Sequence, residues 1–178
     1  MKRMNFLQKI LGNRRINGEI ISGRHGGYYL SFKKTNFDWY QPRGIWMDGK
    51  ADFIFHTDRF EDLQIVQVMP SGLGGKNLTA QSLIEIFVIL NEEKQPAWEA
   101  RKVEPVMRDD ELLGIYFRGR IVSDQQKQIF QELLIPVTSL EKNDTFIFLT
   151  SIMPVNAPDE LLEEVKEIFT GIKFPKGE

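Results

Sequence analysis

Apolar residues along the chain follow two kinds of spacing, alternation with polar residues and recurrence at helical intervals. Short alternating or continuous apolar runs bounded by turn residues predict strands. The predicted strands are residues 19–22, 28–33, 52–56, 63–69, 98–106, 112–122, 128–140 and 145–153. Helical spacing predicts helices at residues 80–90 and 161–169. This order of elements predicts an α+β domain, an antiparallel β-sheet with helices packed on it.

The second predicted helix has the clearest boundaries. Pro158 and two acidic residues suit its first turn, and Gly171 ends it. One face is apolar and is formed by Leu161, Leu162, Val165, Ile168 and Phe169. Glu163 and Glu164 are predicted to lie on the solvated side. Residues 172–174 are predicted to add a short final strand.

The N-terminal segment, residues 1–16, is predicted to be a basic amphipathic arm, followed by a single domain of residues 17–178. Met4, Leu7, Ile10 and Leu11 recur there at helical spacing. Residues 1–34 carry eight Lys and Arg against one acidic residue, whereas the remainder carries 15 basic and 24 acidic residues. Such asymmetry indicates either an arm docked on the domain or one that meets an anionic surface.

Composition narrows the class of protein. The chain has 178 residues, of which 42% are hydrophobic and 27% charged, as in ordinary single globular domains. Because there is no Cys, disulfides, thiolate metal sites and cysteine nucleophiles are excluded. The net charge of −2 disfavours nucleic-acid binding. No apolar run is long enough to span a bilayer or form a signal peptide, so a cytoplasmic location is expected.

The residues that common catalytic and cofactor-binding motifs require are absent at the required spacings. The Gly-rich segment 71–76 precedes a predicted helix, but Pro70 and Asn77 stand where the phosphate-binding pattern requires Gly and Ser or Thr. His25 and His56 are too few for a typical zinc site without Cys. No Ser lies in a nucleophile elbow. The sequence therefore predicts no catalytic residues, no cofactor and no metal.

The segment 37–46 is rich in aromatic and basic residues and is predicted to be a loop. Its Trp39, Tyr40, Arg43 and Trp46 are of the types that most often anchor protein interfaces. They form the candidate interaction surface. The same side chains are also suited to sealing the edge of the core, so both interpretations stay open here.

The order of these elements resembles the PsbP-like family, the extrinsic subunits of photosystem II. A small Ran-binding nuclear-transport factor shares that fold. The resemblance lies in residues 27–32 (Gly-Tyr-Tyr-Leu-Ser-Phe), 39–46, 52–69, 80–90 and 145–174. It implies an α/β/α sandwich that serves binding and assembly, typically without catalysis.

The preferred hypothesis is therefore a non-enzymatic protein-interaction or assembly domain with an unknown protein partner. Its surface would be the aromatic loop or a sheet edge. One alternative is a small-molecule-binding protein or enzyme with a pocket between the sheet and helix 80–90. Another is peripheral association with a membrane surface through residues 1–15.

Overall fold

A computed structural model describes most of the predicted strands and the last helix. The described residues are 13–16, 18–22, 28–42, 51–57, 64–70, 85, 98–123, 126–137 and 145–174. In chain order the strands are β1 (Asn13–Ile16), β2 (Ile20–Ser22), β3 (Tyr29–Ser31), β4 (Trp39–Pro42), β5 (Ala51–Ile54), β6 (His56–Thr57), β7 (Gln64–Pro70), β8 (Trp98–Arg108), β9 (Glu111–Ser123), β10 (Gln126–Val137) and β11 (Thr145–Pro154). Helix α1 spans Asp159–Thr170.

A six-stranded sheet forms the centre of the fold, in the order β5-β7-β11-β10-β9-β8. All its described pairs are antiparallel. Two smaller sheets accompany it, β1-β4-β6 and the pair β2-β3. Sheets and a packed helix confirm the α+β class that the apolar pattern predicts.

Helix α1 covers one face of the large sheet. The five apolar residues predicted to line its inner face are all buried. They meet alternate residues of β10, Ile129, Leu133 and Ile135, because neighbouring strand residues point to opposite faces. The small sheets add Ile16 and Phe32 to the same core. The core therefore lies between α1, the small sheets and this face.

The centre of the large sheet is buried on both faces. In β10 every residue from 129 to 135 is buried, so this strand does not alternate between buried and exposed residues. Phe117 and Phe130 lie on the face away from α1, with ring centroids 5.9 Å apart. Glu85 is helical, and the remainder of the predicted helix 80–90 lies outside the described residues.

Two sequence expectations differ from the structure near the first strands. The predicted loop 37–46 begins with β4, because Trp39 and Ile16 bury their side chains on the same core and β1 pairs with β4. The last four residues of the segment assigned to the arm thus form β1. Residues 1–12 lie outside the described part of the chain.

The predicted strand 52–56 divides in two. β5 pairs with β7 in the large sheet, and β6 pairs with β4 in a small one. Phe55, between them, is fully buried. Further on, the short final strand expected at 172–174 is a single bridge, in which Lys173 exchanges backbone hydrogen bonds with Tyr29.

Gly114 lies where β9 approaches β10 closely. A Cβ built on Gly114 would be 2.2 Å from the backbone oxygen of Leu134. By contrast, Gly18 has a φ of +63° and open space around its Cβ position. The first glycine is required by crowding and the second by backbone conformation.

We expect Gly114→Ala to lower the free energy of unfolding by about 3 kcal/mol, because backbone must shift. The control Gly18→Ala should cost about 1 kcal/mol, the penalty of a left-handed conformation alone. Urea unfolding of both variants tests this. Equal losses would show that the β9–β10 approach is not a constraint.

Candidate functional site

The structure describes two of the four residues of the candidate interaction surface, Trp39 and Tyr40. Trp39 is fully buried, and its indole N–H donates to the Glu164 carboxylate. Tyr40 is half-buried in β4, opposite Arg15 and His56. Arg43 and Trp46 lie outside the described residues, as does the expected pocket beneath helix 80–90. The candidate interaction surface therefore stays a prediction from the sequence.

Glu164 is buried, which corrects the expectation that it is solvated. It is 4% exposed, and its carboxylate accepts hydrogen bonds from Asn36 N (2.6 Å), Phe37 N (3.4 Å) and Trp39 Nε1 (2.7 Å). The physical reason is its position on the helix, three residues after Leu161 and therefore on the edge of the apolar stripe. That spacing is the signal in the sequence that could have identified it.

A second buried polar group, Gln131, links four elements at the centre of the core. Its Nε2 donates to Tyr116 Oη (2.7 Å) and to the Leu162 carbonyl (2.9 Å), and its Oε1 accepts from Ser151 Oγ (3.1 Å). Gln131 is fully buried, and these bonds use both of its donors and its acceptor. They hold β9, β10, β11 and α1 in fixed relative positions.

Ionic contacts extend this network to the edge strand β8. Lys166 Nζ lies 4.7 Å from the centre of the Tyr116 ring and donates to the Glu104 carboxylate. Lys102 Nζ is 2.6 Å from the other Glu104 oxygen. Hydrogen bonds from Lys102 and Lys166 lower the pKa of Glu104, whereas burial raises the pKa of Tyr116.

An open groove of about 350 Å³ lies on the sheet face beyond the first turn of α1. We call it the basic groove. Its defining residues are Lys102 of β8, Arg118 and Arg120 of β9, Ile129 of β10, Val155 after β11 and Asp159 of α1. Ile129 is buried and Val155 is 43% exposed, so apolar and cationic surface meet there.

Strand register brings the three cations of the basic groove together. Lys102 pairs directly with Arg118 across β8 and β9, and Arg120 is two residues further on the same face. Like charges directly opposite each other on neighbouring strands are destabilising. Two acidic side chains of α1 offset part of this repulsion: Arg118 lies 3.4 Å from Asp159 and 3.2 Å from Glu163.

Arg120 differs from the other two cations. It is exposed, and its side chain forms no ion pair or hydrogen bond with any residue that the structure describes. Sequence reasoning missed the basic groove because its cations come from two strands. Only the register between β8 and β9 shows that they are neighbours.

The outer edge of β8 is the sheet edge at this end of the described strands. Pro105 has no backbone N–H to donate, and the register shifts between Trp98 and Ala100 and again between Val106 and Met107. Proline, charged side chains and bulges on an edge strand oppose pairing with another strand. The basic groove is thus better suited to recognition than this edge.

Across the described ranges, no group of three or more His, Asp or Glu side chains is placed to hold a metal ion. A helix with the length and apolar content needed to cross a bilayer is absent from the same residues.

Comparison with known proteins finds similarity at the level of structure. No family model and no curated protein matches the chain. The solution structure of cyanobacterial PsbP (CyanoP) from Synechocystis sp. PCC 6803 is similar over 92% of this chain and 93% of that one. The two share 12% sequence identity, with a TM-score of 0.49.

The Glu164 contacts predict a large difference between neighbouring glutamates. Glu164→Gln should lower the free energy of unfolding by about 2–3 kcal/mol, because three donors lose a buried carboxylate. Glu163→Gln, one residue earlier and exposed, should change it by less than about 0.5 kcal/mol. Chemical denaturation measures both. Similar losses would contradict the assigned role of Glu164.

The lowered pKa of Glu104 predicts a pH-dependent contribution to stability. A carboxyl whose pKa falls on folding stabilises the protein above its ordinary value of 4.5, and this is lost as the pH falls through the folded value. Glu104→Gln should therefore destabilise at neutral pH and progressively less below 4.5. Urea titrations across this range test it, with the exposed Glu167→Gln as control. A pH-independent loss would rule out the ionic contribution.

Proposed function

We propose that the chain is a non-catalytic interaction domain that binds a partner protein through the basic groove. The observation that carries this proposal is the convergence of Lys102, Arg118 and Arg120 around one groove. The whole chain has a net charge of −2, so this cationic cluster runs against its overall balance. A local cationic surface of this kind favours an anionic partner.

The arrangement of charges supports a recognition role over a purely structural one. Lys102 and Arg118 already have acidic neighbours, Glu104 beside Lys102 and two exposed carboxylates of α1 beside Arg118, and an anionic occupant could take the place of the exposed ones. The Arg120 side chain has no hydrogen-bond or ion-pair partner among the described residues, and it belongs to the same strand as Arg118. Arginine is enriched in protein interfaces because its planar guanidinium binds carboxylates at two nitrogens.

The shape of the basic groove favours side chains of a protein over a deeply enclosed small molecule. Its volume of about 350 Å³ is at the lower end for small-molecule pockets. It opens along the sheet face, and exposed Val155 supplies apolar surface beside the cations. Cationic and apolar surface side by side suits a partner segment that carries both acidic and apolar side chains.

Two other expectations remain predictions from the sequence. One is a cytoplasmic location. The other is association with an anionic membrane surface through residues 1–15, which lie largely outside the described part of the chain.

Removal of the groove cations should abolish capture of the partner. We expect the Lys102→Ser, Arg120→Ser double variant to lose a protein that the wild-type chain retains from lysate of the native organism. The reason is that two of the three cations are then absent, while neither lies in the core. Capture is quantified by mass spectrometry after circular dichroism has shown that the variant is folded.

The matched control is Lys33→Ser, Lys34→Ser, which removes two exposed lysines outside the basic groove. This variant should retain the partner. If both double variants retain it, or both lose it, the basic groove is not the binding surface.

A further inference from the structure

We propose that the basic groove binds an extended peptide segment with carboxylates at alternate residues, and that Asp159 and Glu163 occupy part of this site in the free domain. This inference rests on the proposed function and names the chemistry of the partner.

Arg118 shows which ligand chemistry the basic groove accepts. Its two terminal nitrogens face two different carboxylates, Nη1 to Glu163 Oε1 at 3.2 Å and Nη2 to Asp159 Oδ1 at 3.4 Å. Both are longer than the 2.7–2.9 Å typical of a strong charge-assisted hydrogen bond. The guanidinium is therefore engaged by carboxylates but not held tightly.

These two contacts are readily exchanged. The Asp159 side chain is 90% exposed and that of Glu163 is 61% exposed. Exposed ion pairs contribute little to stability, since both partners are well solvated when separated. An incoming carboxylate can replace them without opening the core. Asp159 and Glu163 are four residues apart on α1 and so lie on the same side of the helix.

The spacing of the cations sets the spacing of the ligand. Arg118 and Arg120 are alternate residues of β9, so their Cα atoms are separated by roughly 6.6 Å along the strand. In an extended peptide the side chains at i and i+2 share one face at the same spacing. Two carboxylates at alternate positions would therefore face the two arginines, and a residue beside them would contact exposed Val155.

A carboxylate peptide fits better than free phosphate. The basic groove is lined by Asp159 as well as by its three cations, with Glu163 beside Arg118. A compact dianion would meet this negative charge directly. Two separate monoanionic carboxylates distribute their charge over Arg118 and Arg120 and displace the α1 acids from one nitrogen at a time.

The test uses the full chain and fluorescein-labelled synthetic peptides. One peptide carries glutamates at two alternate positions and a valine at the next alternate position, so that the three side chains share one face, and its matched control carries glutamines in place of the glutamates. We expect the glutamate peptide to bind, measured by fluorescence anisotropy at low ionic strength, and to be weakened by salt. The glutamine peptide should bind at least about tenfold more weakly. Equal binding of the two would overturn the carboxylate assignment.

Removing a cation and removing the acidic groups of the basic groove should change peptide binding in opposite directions. Arg120→Ser should weaken binding of the glutamate peptide about tenfold. The Asp159→Asn, Glu163→Gln variant should strengthen it severalfold, because the competing carboxylates lose their charge. A loss of folding cannot produce that gain. Unchanged or weaker binding by the second variant would overturn the competition.

Competition by inorganic phosphate distinguishes a site for peptide carboxylates from a site for free phosphate. It should displace the glutamate peptide no better than sodium chloride of equal ionic strength. Displacement by stoichiometric phosphate would instead identify a phosphate site. If partner capture depends on the basic groove but the glutamate peptide does not bind, the ligand chemistry is wrong while the proposed function stands. If capture is indifferent to the groove, the proposed function itself fails.

Discussion

The buried carboxylate of Glu164 is the interaction on which the arrangement of the described fold most depends. A carboxylate in the core is costly unless its charge is met by donors. Here the donors come from the backbone before β4 and from the indole of Trp39, so helix and segment satisfy each other. Because β4 joins β1 and β6, the helix thereby fixes a small sheet as well as the large one.

Gln131 sets the position of the same helix against the large sheet. Apolar packing alone tolerates small shifts of a helix along a sheet, because the hydrophobic effect is not directional. A side-chain amide that donates to the Leu162 carbonyl and to Tyr116 admits far fewer positions. The first turn of α1 is therefore held at a defined position beside β9, where Asp159 forms part of the wall of the basic groove.

The spacing of apolar residues predicted the helix face and the long strands. It could not predict features that depend on contacts between residues distant in sequence. The inner face of α1 and the long strands β8 to β11 follow from local patterns. The burial of Glu164 does not, because a glutamate on a helix is ordinarily solvated and its partners are distant in sequence. The basic groove was also hidden: a change of register by one residue would place Lys102 on the opposite face from Arg118.

The exposed and buried glutamates of α1 connect stability with recognition. Glu164 faces the core and fixes the helix, while Glu163, the preceding residue, faces Arg118. The two glutamates are consecutive residues of one helical turn. The helix position that allows Glu164 to bond Trp39 therefore also determines how closely Glu163 can approach Arg118. The core thus fixes the backbone positions from which the counter-charges of the basic groove extend, while their exposed side chains stay exchangeable. A groove with cations and exchangeable carboxylates at such positions can discriminate between ligands by the number and spacing of their carboxylates.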